Sequence, residues 1–164
     1  MSKKQSLLAM FPLLLAILCQ GCSFSSVSSS SFEKIMLDSE YYGVSSDKCL
    51  IVISDVDEIN ALVDEKASFG IYVHLAGCTS CAEFEPIIAK TLSNLKVAFY
   101  SIEVSVLKTK ANPVKDVFGY APCPMIFSKG SFVCKLDPTS DADEPFFKTE
   151  SAFSDWLSDK ITLS

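Results

Sequence analysis

Two cysteines three positions apart, Cys78 and Cys81, are the residues of this chain best suited to covalent chemistry. They follow an apolar run, 70–76, and open an amphipathic segment that extends to Leu95. The unpaired N–H groups and partial positive charge at a helix N-terminus favour the thiolate, which is the species that attacks disulfides. Because the spacing is i, i+3, both sulfurs lie on one helix face, within reach of a disulfide bond. The motif predicts thiol–disulfide exchange, with Cys78 as the nucleophile and Cys81 as the more buried resolving thiol.

The segments around the motif alternate between strand and helix patterns. Apolar runs rich in β-branched and aromatic residues predict five strands, at 48–54, 70–76, 97–104, 123–127 and 132–136. Helical spacing and capping signals predict four helices, at 55–66, 78–95, 112–118 and 150–161. Strands that alternate with helices form right-handed crossovers, and the last two strands form a hairpin around 128–131. The expected fold class is therefore α/β, with a central mixed sheet and helices on both faces.

The first 21 residues have the pattern of an export signal. Lys3 and Lys4 precede an apolar stretch, 7–18, which is shorter than the roughly 18 residues that a membrane-spanning helix needs. The following Gly-Cys pair, ending at Cys22, resembles the lipobox of bacterial lipoproteins, although Cys19 stands where that pattern usually has leucine. We expect cleavage after residue 21 and lipidation of Cys22. An ordinary signal peptide cut nearby and an uncleaved anchor are the alternatives.

Composition divides the remainder into a tether and a domain. Residues 23–31 are almost all serine, so 22–47 is expected to be a lipid-bearing tether and 48–164 the folded domain. The 14 basic residues are all lysines, and loss of Lys3 and Lys4 with the signal takes the formal net charge from −6 to −8. An acidic domain without a basic patch is a poor candidate for binding nucleic acid. We therefore expect an extracytoplasmic protein, lipid-anchored to the cell membrane, with no nucleic-acid partner.

Over residues 48–161 the chain resembles the thioredoxin-like superfamily. The Cys-x-x-Cys motif lies at a strand–helix junction, Pro86 lies five residues after Cys81, and 118–127 is similar to the segment that leads into the family's cis-proline loop. Among subfamilies, the layout resembles small exported proteins of Gram-positive type, including the bacteriocin transport accessory proteins. The resemblance implies a thioredoxin-like fold and a thiol–disulfide oxidoreductase that acts on protein thiols and disulfides without a cofactor.

The resemblance also implies a cis-proline loop beside the cysteines that binds the extended backbone of the substrate. Counting forward from Gly119 favours Pro124 for this position, whereas counting back from Gly130 over a full-length hairpin favours Pro122. We prefer Pro124, because the apolar strand starts directly after it and a hairpin is easily shortened by deletion. The expected substrate-binding loop therefore consists of Cys123 and Pro124.

Three cysteines remain outside the motif and the export signal. If Pro124 is cis, Cys123 lies beside the active sulfurs, where an alternative disulfide with Cys78 or a metal site becomes feasible; otherwise Cys123 is a small buried hydrophobe. Cys49 and Cys134 lie on strands at opposite edges of the predicted sheet, which is too far apart for a disulfide bond. Both are interpreted as buried thiols.

Four positions depart from the thioredoxin pattern. Tyr72 stands where classical thioredoxins have a buried aspartate, and Gly77 stands where tryptophan is frequent. The residues between the cysteines are Thr79 and Ser80, at positions that tune the reduction potential in the family. The direction of the reaction therefore stays open.

His74 and Glu83 are candidates for proton transfer. Histidine titrates near neutral pH, and His74 lies four residues before Cys78; alternatively it is a half-buried strand side chain that fills space. Glu83 and Glu85 follow the motif, and either can accept the proton of Cys81 through water. Their simpler interpretation is that of solvated charges on the helix face.

These observations support three hypotheses about function. The leading one is a membrane-tethered thiol–disulfide oxidoreductase that works through Cys78 and Cys81. The second is a metal-binding module with a Cys₃His site formed by these two residues, Cys123 and His74. The third is a non-catalytic accessory lipoprotein of an export system, in which the cysteine pair resists reduction.

Overall fold

The computed structural model describes residues 33–163. The predicted export signal, the lipid-bearing Cys22 and the serine-rich run lie outside the described residues. Within the described part, no helix has both the length and the apolar character needed to cross a bilayer.

Within residues 33–163, five strands form one sheet, and five α-helices connect or flank them. The strands are β1 (Leu50–Val52), β2 (Phe69–His74), β3 (Phe99–Glu103), β4 (Cys123–Ser128) and β5 (Ser131–Lys135). The helices are α1 (Val56–Asp64), α2 (Thr79–Leu95), α3 (Val104–Leu107), α4 (Pro113–Val117) and α5 (Glu150–Lys160). Three 3₁₀ turns lie at Ser39–Tyr41, Ser46–Lys48 and Glu144–Phe147. The predicted mixed α/β architecture is confirmed, and α3 and the 3₁₀ turns are the elements that the sequence pattern did not indicate.

The sheet has the order β1-β3-β2-β4-β5. The first three strands in this order are parallel, whereas β4 and β5 run antiparallel to their neighbours. The connections through α1 and α2 cross the sheet in opposite directions, so right-handed crossovers place these two helices on opposite faces. β2 lies at the centre, and its carboxyl end carries the Cys-x-x-Cys motif.

Helix boundaries follow capping residues in the sequence. Asp55 and Glu58 form a reciprocal capping box at the start of α1, and the side chain of Asn112 caps α4 directly before Pro113. The hydroxyl of Thr149 caps α5 in the same way. These local signals explain why the predicted helix starts lie within one or two residues of the observed ones.

Aromatic side chains fill the core on both faces of the sheet. Phe69 stacks on Phe127 across β2 and β4, with ring centroids 5.0 Å apart. On the α2 face, Phe84 packs edge-to-face against Phe153 of α5 at 5.2 Å. The ring of Phe99 packs directly on the backbone of Gly70. A side chain at position 70 would clash with it, since even a Cβ would lie 2.2 Å from that ring. These contacts hold β2 between two packed layers.

Part of the predicted tether belongs to the folded domain. Ile35 forms a parallel bridge with Ile161, and its N–H donates to the carbonyl oxygen of Lys160 at 2.9 Å. Leu37 and Tyr41 are each only 2% exposed. The expected boundary at residue 48 was therefore placed too late, since at least residues 35–41 pack on the domain.

The two cysteines at the sheet edges are separated as predicted. Cys49 directly precedes β1 and Cys134 lies in β5, which are the outermost strands on opposite sides. Burial raises the pKa of both thiols. The thiol of Cys49 also donates to the carbonyl oxygens of Ser46 and Ala89, at 3.2 and 3.4 Å.

Candidate active site

A strand, a tight turn and a helix position Cys78. β2 ends at His74, and α2 begins at Thr79 with Cys78 as its N-cap residue. Between them, Gly77 has φ +74°, a left-handed conformation that residues with a Cβ avoid. The N–H of Cys78 donates to the carbonyl oxygen of Leu75 at 3.3 Å, which closes the turn. The backbone conformation therefore accounts for glycine immediately before the first cysteine.

Cys78 has the surroundings of a nucleophile. Its side chain is half-buried, and its sulfur accepts a hydrogen bond from the backbone N–H of Cys81 at 3.2 Å. This N–H is one of the donors that a helix leaves unpaired at its start. A negative charge on the sulfur is stabilised by this donor and by the partial positive charge of the helix end. The first turn of α2 contains no acidic residue that would oppose that charge.

Cys81 is enclosed and holds its proton more tightly. It is 4% exposed. Burial raises the pKa of the Cys81 thiol to about 11, and its hydrogen bond with Cys78 and the negative charge of Glu85 add to the rise. The pair therefore consists of one accessible sulfur at a helix start and one protonated sulfur beneath it.

Glu103, at the end of the neighbouring strand β3, accepts a hydrogen bond from the turn before Cys78. It ends β3 opposite His74, and its carboxylate accepts from the N–H of Ala76 at 3.4 Å and from the N–H of Ser105 at 2.9 Å. The same side chain caps α3. Glu103 thus connects the turn before Cys78 to the start of α3.

A groove lies beside the cysteine motif. Its volume is about 170 Å³, and Ser80 and Glu83 line one side. Pro122 faces the groove from the loop before β4, and the peptide bond between Ala121 and Pro122 is cis. The turn and 3₁₀ segment after β5 complete the lining with Pro138, Thr139, Ser140, Asp141, Glu144, Phe147 and Lys148.

Comparisons with solved structures show which fold the chain resembles. A thioredoxin from Malassezia sympodialis matches with a TM-score of 0.50 and 17% identity, over 66% of this chain and 88% of its own. A thioredoxin variant from Halobacterium salinarum matches with a TM-score of 0.51 and 16% identity, over 74% of this chain and 97% of its own. A third structure, described as having a thioredoxin fold, matches with a TM-score of 0.50 and 17% identity, over 65% and 92% of the two chains. The chain has a thioredoxin-like fold.

Comparisons of the sequence found no match. No protein-family model matches this chain, and no curated protein sequence matches it. The structural likeness therefore establishes the thioredoxin-like fold and leaves the function to the chemistry of the site.

The assignment of the cis-proline in this thioredoxin-like fold was wrong. Pro124 is a residue of β4, paired with Tyr72 of β2, and its carbonyl oxygen accepts from the N–H of Leu136 at 3.0 Å. The cis bond precedes Pro122, two residues earlier. β4 has its full six residues before the turn at Lys129, so the hairpin is not shortened.

The expected position of Cys123 changes with this correction. Cys123 pairs with Val73, so alternation along β4 places its side chain on the sheet face opposite to that of Pro124 and Tyr72. It is 1% exposed, and its thiol donates to the carbonyl oxygen of Leu136 at 3.3 Å. Burial raises the pKa of this thiol to about 12. Cys123 is therefore a buried hydrogen-bonded thiol and does not join Pro124 in a substrate-binding loop.

The two candidates for proton transfer lie in different places. His74 is half-buried, and its ring stacks on that of Tyr72 with centroids 5.6 Å apart. Glu83 is exposed at the groove, whereas the negative charge of Glu85 adds a small contribution to the rise that burial causes in the pKa of Cys81. Of the two acids after the motif, Glu85 is therefore the one electrostatically connected to the resolving thiol.

The described residues do not assemble the metal site considered from the sequence. Within residues 33–163, no group of three or more histidine, cysteine, aspartate or glutamate side chains is gathered in a way that could hold a metal ion. Cys123 lies on the other sheet face from Tyr72, which stacks on His74. The Cys₃His hypothesis has no geometric basis in this part of the chain.

Tyr72 is a site residue whose role the sequence did not reveal. It is 1% exposed, and its ring lies 5.9 Å from that of Phe84, three residues after Cys81. Its hydroxyl is the one buried side-chain nitrogen or oxygen atom without a hydrogen-bond partner in the described part of the chain. The only feature of the sequence that pointed to this residue was the tyrosine itself, which stands where classical thioredoxins have aspartate.

Proposed function

We propose that the protein is a thiol–disulfide oxidoreductase that acts on protein disulfides through the Cys-Thr-Ser-Cys motif. The observation that carries this proposal is the hydrogen bond from the N–H of Cys81 to the sulfur of Cys78 at the start of α2. Such an environment stabilises the thiolate that exchange requires. The thioredoxin-like fold is compatible with this activity and does not by itself establish it.

The reaction consists of two balanced exchange steps. The Cys78 thiolate attacks one sulfur of a client disulfide, and the other client sulfur leaves as a thiolate and takes a proton from water. Cys81 then loses its proton and attacks Cys78, which releases the first client sulfur and leaves a Cys78–Cys81 disulfide. Two electrons pass from the protein to the client, and the reverse sequence oxidises a client dithiol. The electrons reside in the two sulfurs, so the cycle needs no bound cofactor, only a second thiol–disulfide couple that restores the starting state.

The groove beside Pro122 provides space for a client segment. Ser80, between the two cysteines, and Pro122 line it from different elements. Lys148 is paired with Glu144 at 3.3 Å, whereas Glu83 and Asp141 have no such partner within the described ion pairs. A client segment that enters this groove contacts Ser80, two residues after Cys78.

Export and lipid attachment at Cys22 complete the proposed function. The sequence pattern at residues 1–22 supports an extracytoplasmic, membrane-tethered enzyme that works on exported proteins. Labelling of cells with a radioactive fatty acid tests this part: the wild-type protein should carry the label and Cys22→Ala should not. Equal labelling of both proteins would contradict lipidation at this residue.

Three cysteine variants test the reaction. The reduced protein should cleave a fluorogenic peptide disulfide with multiple turnovers in the presence of a thiol reductant. Cys78→Ser should lose turnover, and Cys81→Ser should accumulate a mixed disulfide that mass spectrometry detects. Cys134→Ser is the matched control, because it removes a half-buried thiol from an edge strand and should keep the wild-type rate. Wild-type turnover that survives in Cys78→Ser would exclude the proposal and favour a non-catalytic accessory role.

The reduction potential of the Cys78–Cys81 pair decides the direction of the reaction. A value near −270 mV is typical of a reductant, whereas a value near −120 mV is typical of an oxidant. Equilibration with glutathione of known ratio, followed by thiol alkylation, measures it.

A further inference from the structure

The second exchange step requires a negative charge on a buried sulfur. Cys81 is 4% exposed, and burial is the largest contribution that raises its pKa to about 11. The charge of Glu85 and the neighbouring Cys78 oppose ionisation further. A hydrogen-bond donor near Cys81 that becomes engaged only when the thiolate forms would therefore accelerate this step.

Tyr72 has the position and the hydroxyl for this role. Its ring packs against Phe84, which lies on the same face of α2 as Cys81, one turn later. The side chain is 1% exposed, and its hydroxyl has no hydrogen-bond partner. Buried polar groups in folded proteins are nearly always paired, so an exception requires an explanation.

Both active-site sulfurs influence the pKa of the Tyr72 hydroxyl. Burial raises the pKa of Tyr72 above its usual value, and negative charge on Cys81, Glu85 and Cys78 raises it further. The phenol therefore stays protonated when a thiol nearby ionises. It can donate a hydrogen bond to a thiolate, and it cannot serve as a base at neutral pH.

We propose that the Tyr72 hydroxyl donates a hydrogen bond to the Cys81 thiolate during the resolving step. Tyr72 has this role only if the exchange reaction proposed above is correct. In the reduced structure the Cys81 thiol keeps its proton and the Tyr72 hydroxyl donates to neither sulfur, and the hydroxyl turns toward Cys81 when ionisation makes that sulfur a strong acceptor. The proton of Cys81 goes to water, Tyr72 keeps its own, and the bond between Cys78 and the client sulfur breaks as the Cys78–Cys81 bond forms.

Other titratable groups face the same region and have to be separated from Tyr72. His74 stacks on the tyrosine ring, Glu85 and Cys78 act on its hydroxyl, and Glu103 lies opposite His74 on β3. A change that removes only the hydroxyl leaves all four in place. Tyr72→Phe is therefore the informative substitution.

The test uses the reduced mature protein and the chromogenic disulfide 5,5′-dithiobis(2-nitrobenzoate). Cys78 attacks the reagent and releases one nitrothiobenzoate, in a phase whose rate scales with reagent concentration. Cys81 then displaces the second from Cys78, in a phase that is independent of reagent concentration and reports the resolving step directly. Cys78→Ser protein identifies the slower reactions of the remaining thiols.

We expect Tyr72→Phe to slow the second phase about tenfold at pH 7 and to raise its pH midpoint by about one unit, since a hydrogen bond to a charged group contributes at least a factor of ten. The first phase should change little. Tyr41→Phe is the matched control, because it removes a buried tyrosine hydroxyl that pairs with Tyr100 at 3.0 Å, and its second phase should match that of the wild type. An unchanged pH midpoint in Tyr72→Phe would overturn the assignment.

A second variant keeps the test decisive if Tyr72→Phe folds poorly. Replacement of Tyr72 by 3-fluorotyrosine keeps the hydroxyl and strengthens it as a donor, so the pH midpoint of the second phase should fall. A midpoint that stays the same or rises contradicts the role of Tyr72. Release of a single nitrothiobenzoate by the wild-type protein is a different result, because it shows that Cys81 does not resolve the mixed disulfide and so removes the proposed function itself.

Discussion

The two ends of the central strands differ in how completely their polar groups are satisfied. At the amino end, the hydroxyl of Tyr41 pairs with that of Tyr100 at 3.0 Å, and Phe69 stacks on Phe127 at 5.0 Å. At the carboxyl end, the hydroxyl of Tyr72 has no partner. The same end contains a glycine with positive φ and a buried thiol with a raised pKa.

This difference separates stability from reactivity within one sheet. The amino end makes paired, close-packed contacts that favour a single folded state. The carboxyl end retains one unpaired buried hydroxyl and a buried thiol with a raised pKa, which is the pattern expected at functional sites. Substitutions at the first end should therefore change the free energy of unfolding, whereas those at the second should change exchange.

Phe69→Ala should have the largest effect on stability. Phe69 is fully buried between Phe127 and Tyr100, so truncation leaves a cavity and should lower the free energy of unfolding by about 3–5 kcal/mol. Urea denaturation followed by tryptophan fluorescence measures this change. Exchange activity per folded molecule should stay at the wild-type level. A strong loss of activity in the folded fraction would show that the two ends are coupled.

One glycine with positive φ at each end allows the two ends to be compared by substitutions that cause similar backbone strain. Gly77→Ala and Gly43→Ala each place a Cβ in a left-handed conformation, at φ +74° and +67°, without a steric clash. Each should lower the free energy of unfolding by about 1–2 kcal/mol. Only Gly77→Ala should also slow the reaction of Cys78, since it alters the turn before the nucleophile. Equal exchange rates for the two variants would argue that the turn does not position Cys78.

Sequence patterns predicted the elements well and the contacts between them less well. Hydrophobic periodicity and caps are local, so the five strands and four main helices were found within a few residues. The choice between Pro122 and Pro124 depended on the length of the β4–β5 hairpin, which is set by pairing of β4 with β2 over Phe69 to Val73. No local pattern in the sequence indicates how β4 is aligned with β2.

One omission and one error have the same origin in contacts between distant residues. Glu103 lies 27 residues after Ala76, and only the pairing of β3 with β2 brings its carboxylate to the turn. The segment containing Ile35 follows a serine-rich run, and its place in the domain depends on contacts with distant residues, among them the bridges from Ile35 to Ile161 and from Tyr42 to Val97. These contacts became visible only when the tertiary structure was known.

Removal of the two buried tyrosine hydroxyls should change stability in opposite directions. Tyr41→Phe breaks a hydrogen bond and should lower the free energy of unfolding by about 0.5–1.5 kcal/mol. Tyr72→Phe removes a buried hydroxyl without a partner and should raise the free energy of unfolding of the reduced protein by up to about 1 kcal/mol. Paired urea titrations of the reduced variants measure both changes. A loss of stability in Tyr72→Phe would indicate that its hydroxyl has a partner in solution.

The stability of the reduced protein should also depend on pH through Cys81. Its pKa is about 11 in the folded protein and about 8.5 for an unperturbed cysteine, so the folded state binds the proton more tightly. The resulting stability is fully present below about pH 8.5 and is lost as the pH rises toward 11.

The stability of the reduced wild-type protein should therefore decline more steeply with pH over this interval than that of Cys81→Ala. Urea titrations at pH 7.5 and 9.5 compare the two proteins, and at pH 9.5 the difference attributable to Cys81 should not exceed about 1.4 kcal/mol. Parallel pH profiles for the two proteins would contradict a raised pKa at Cys81, and they would also remove the need for a donor at Tyr72.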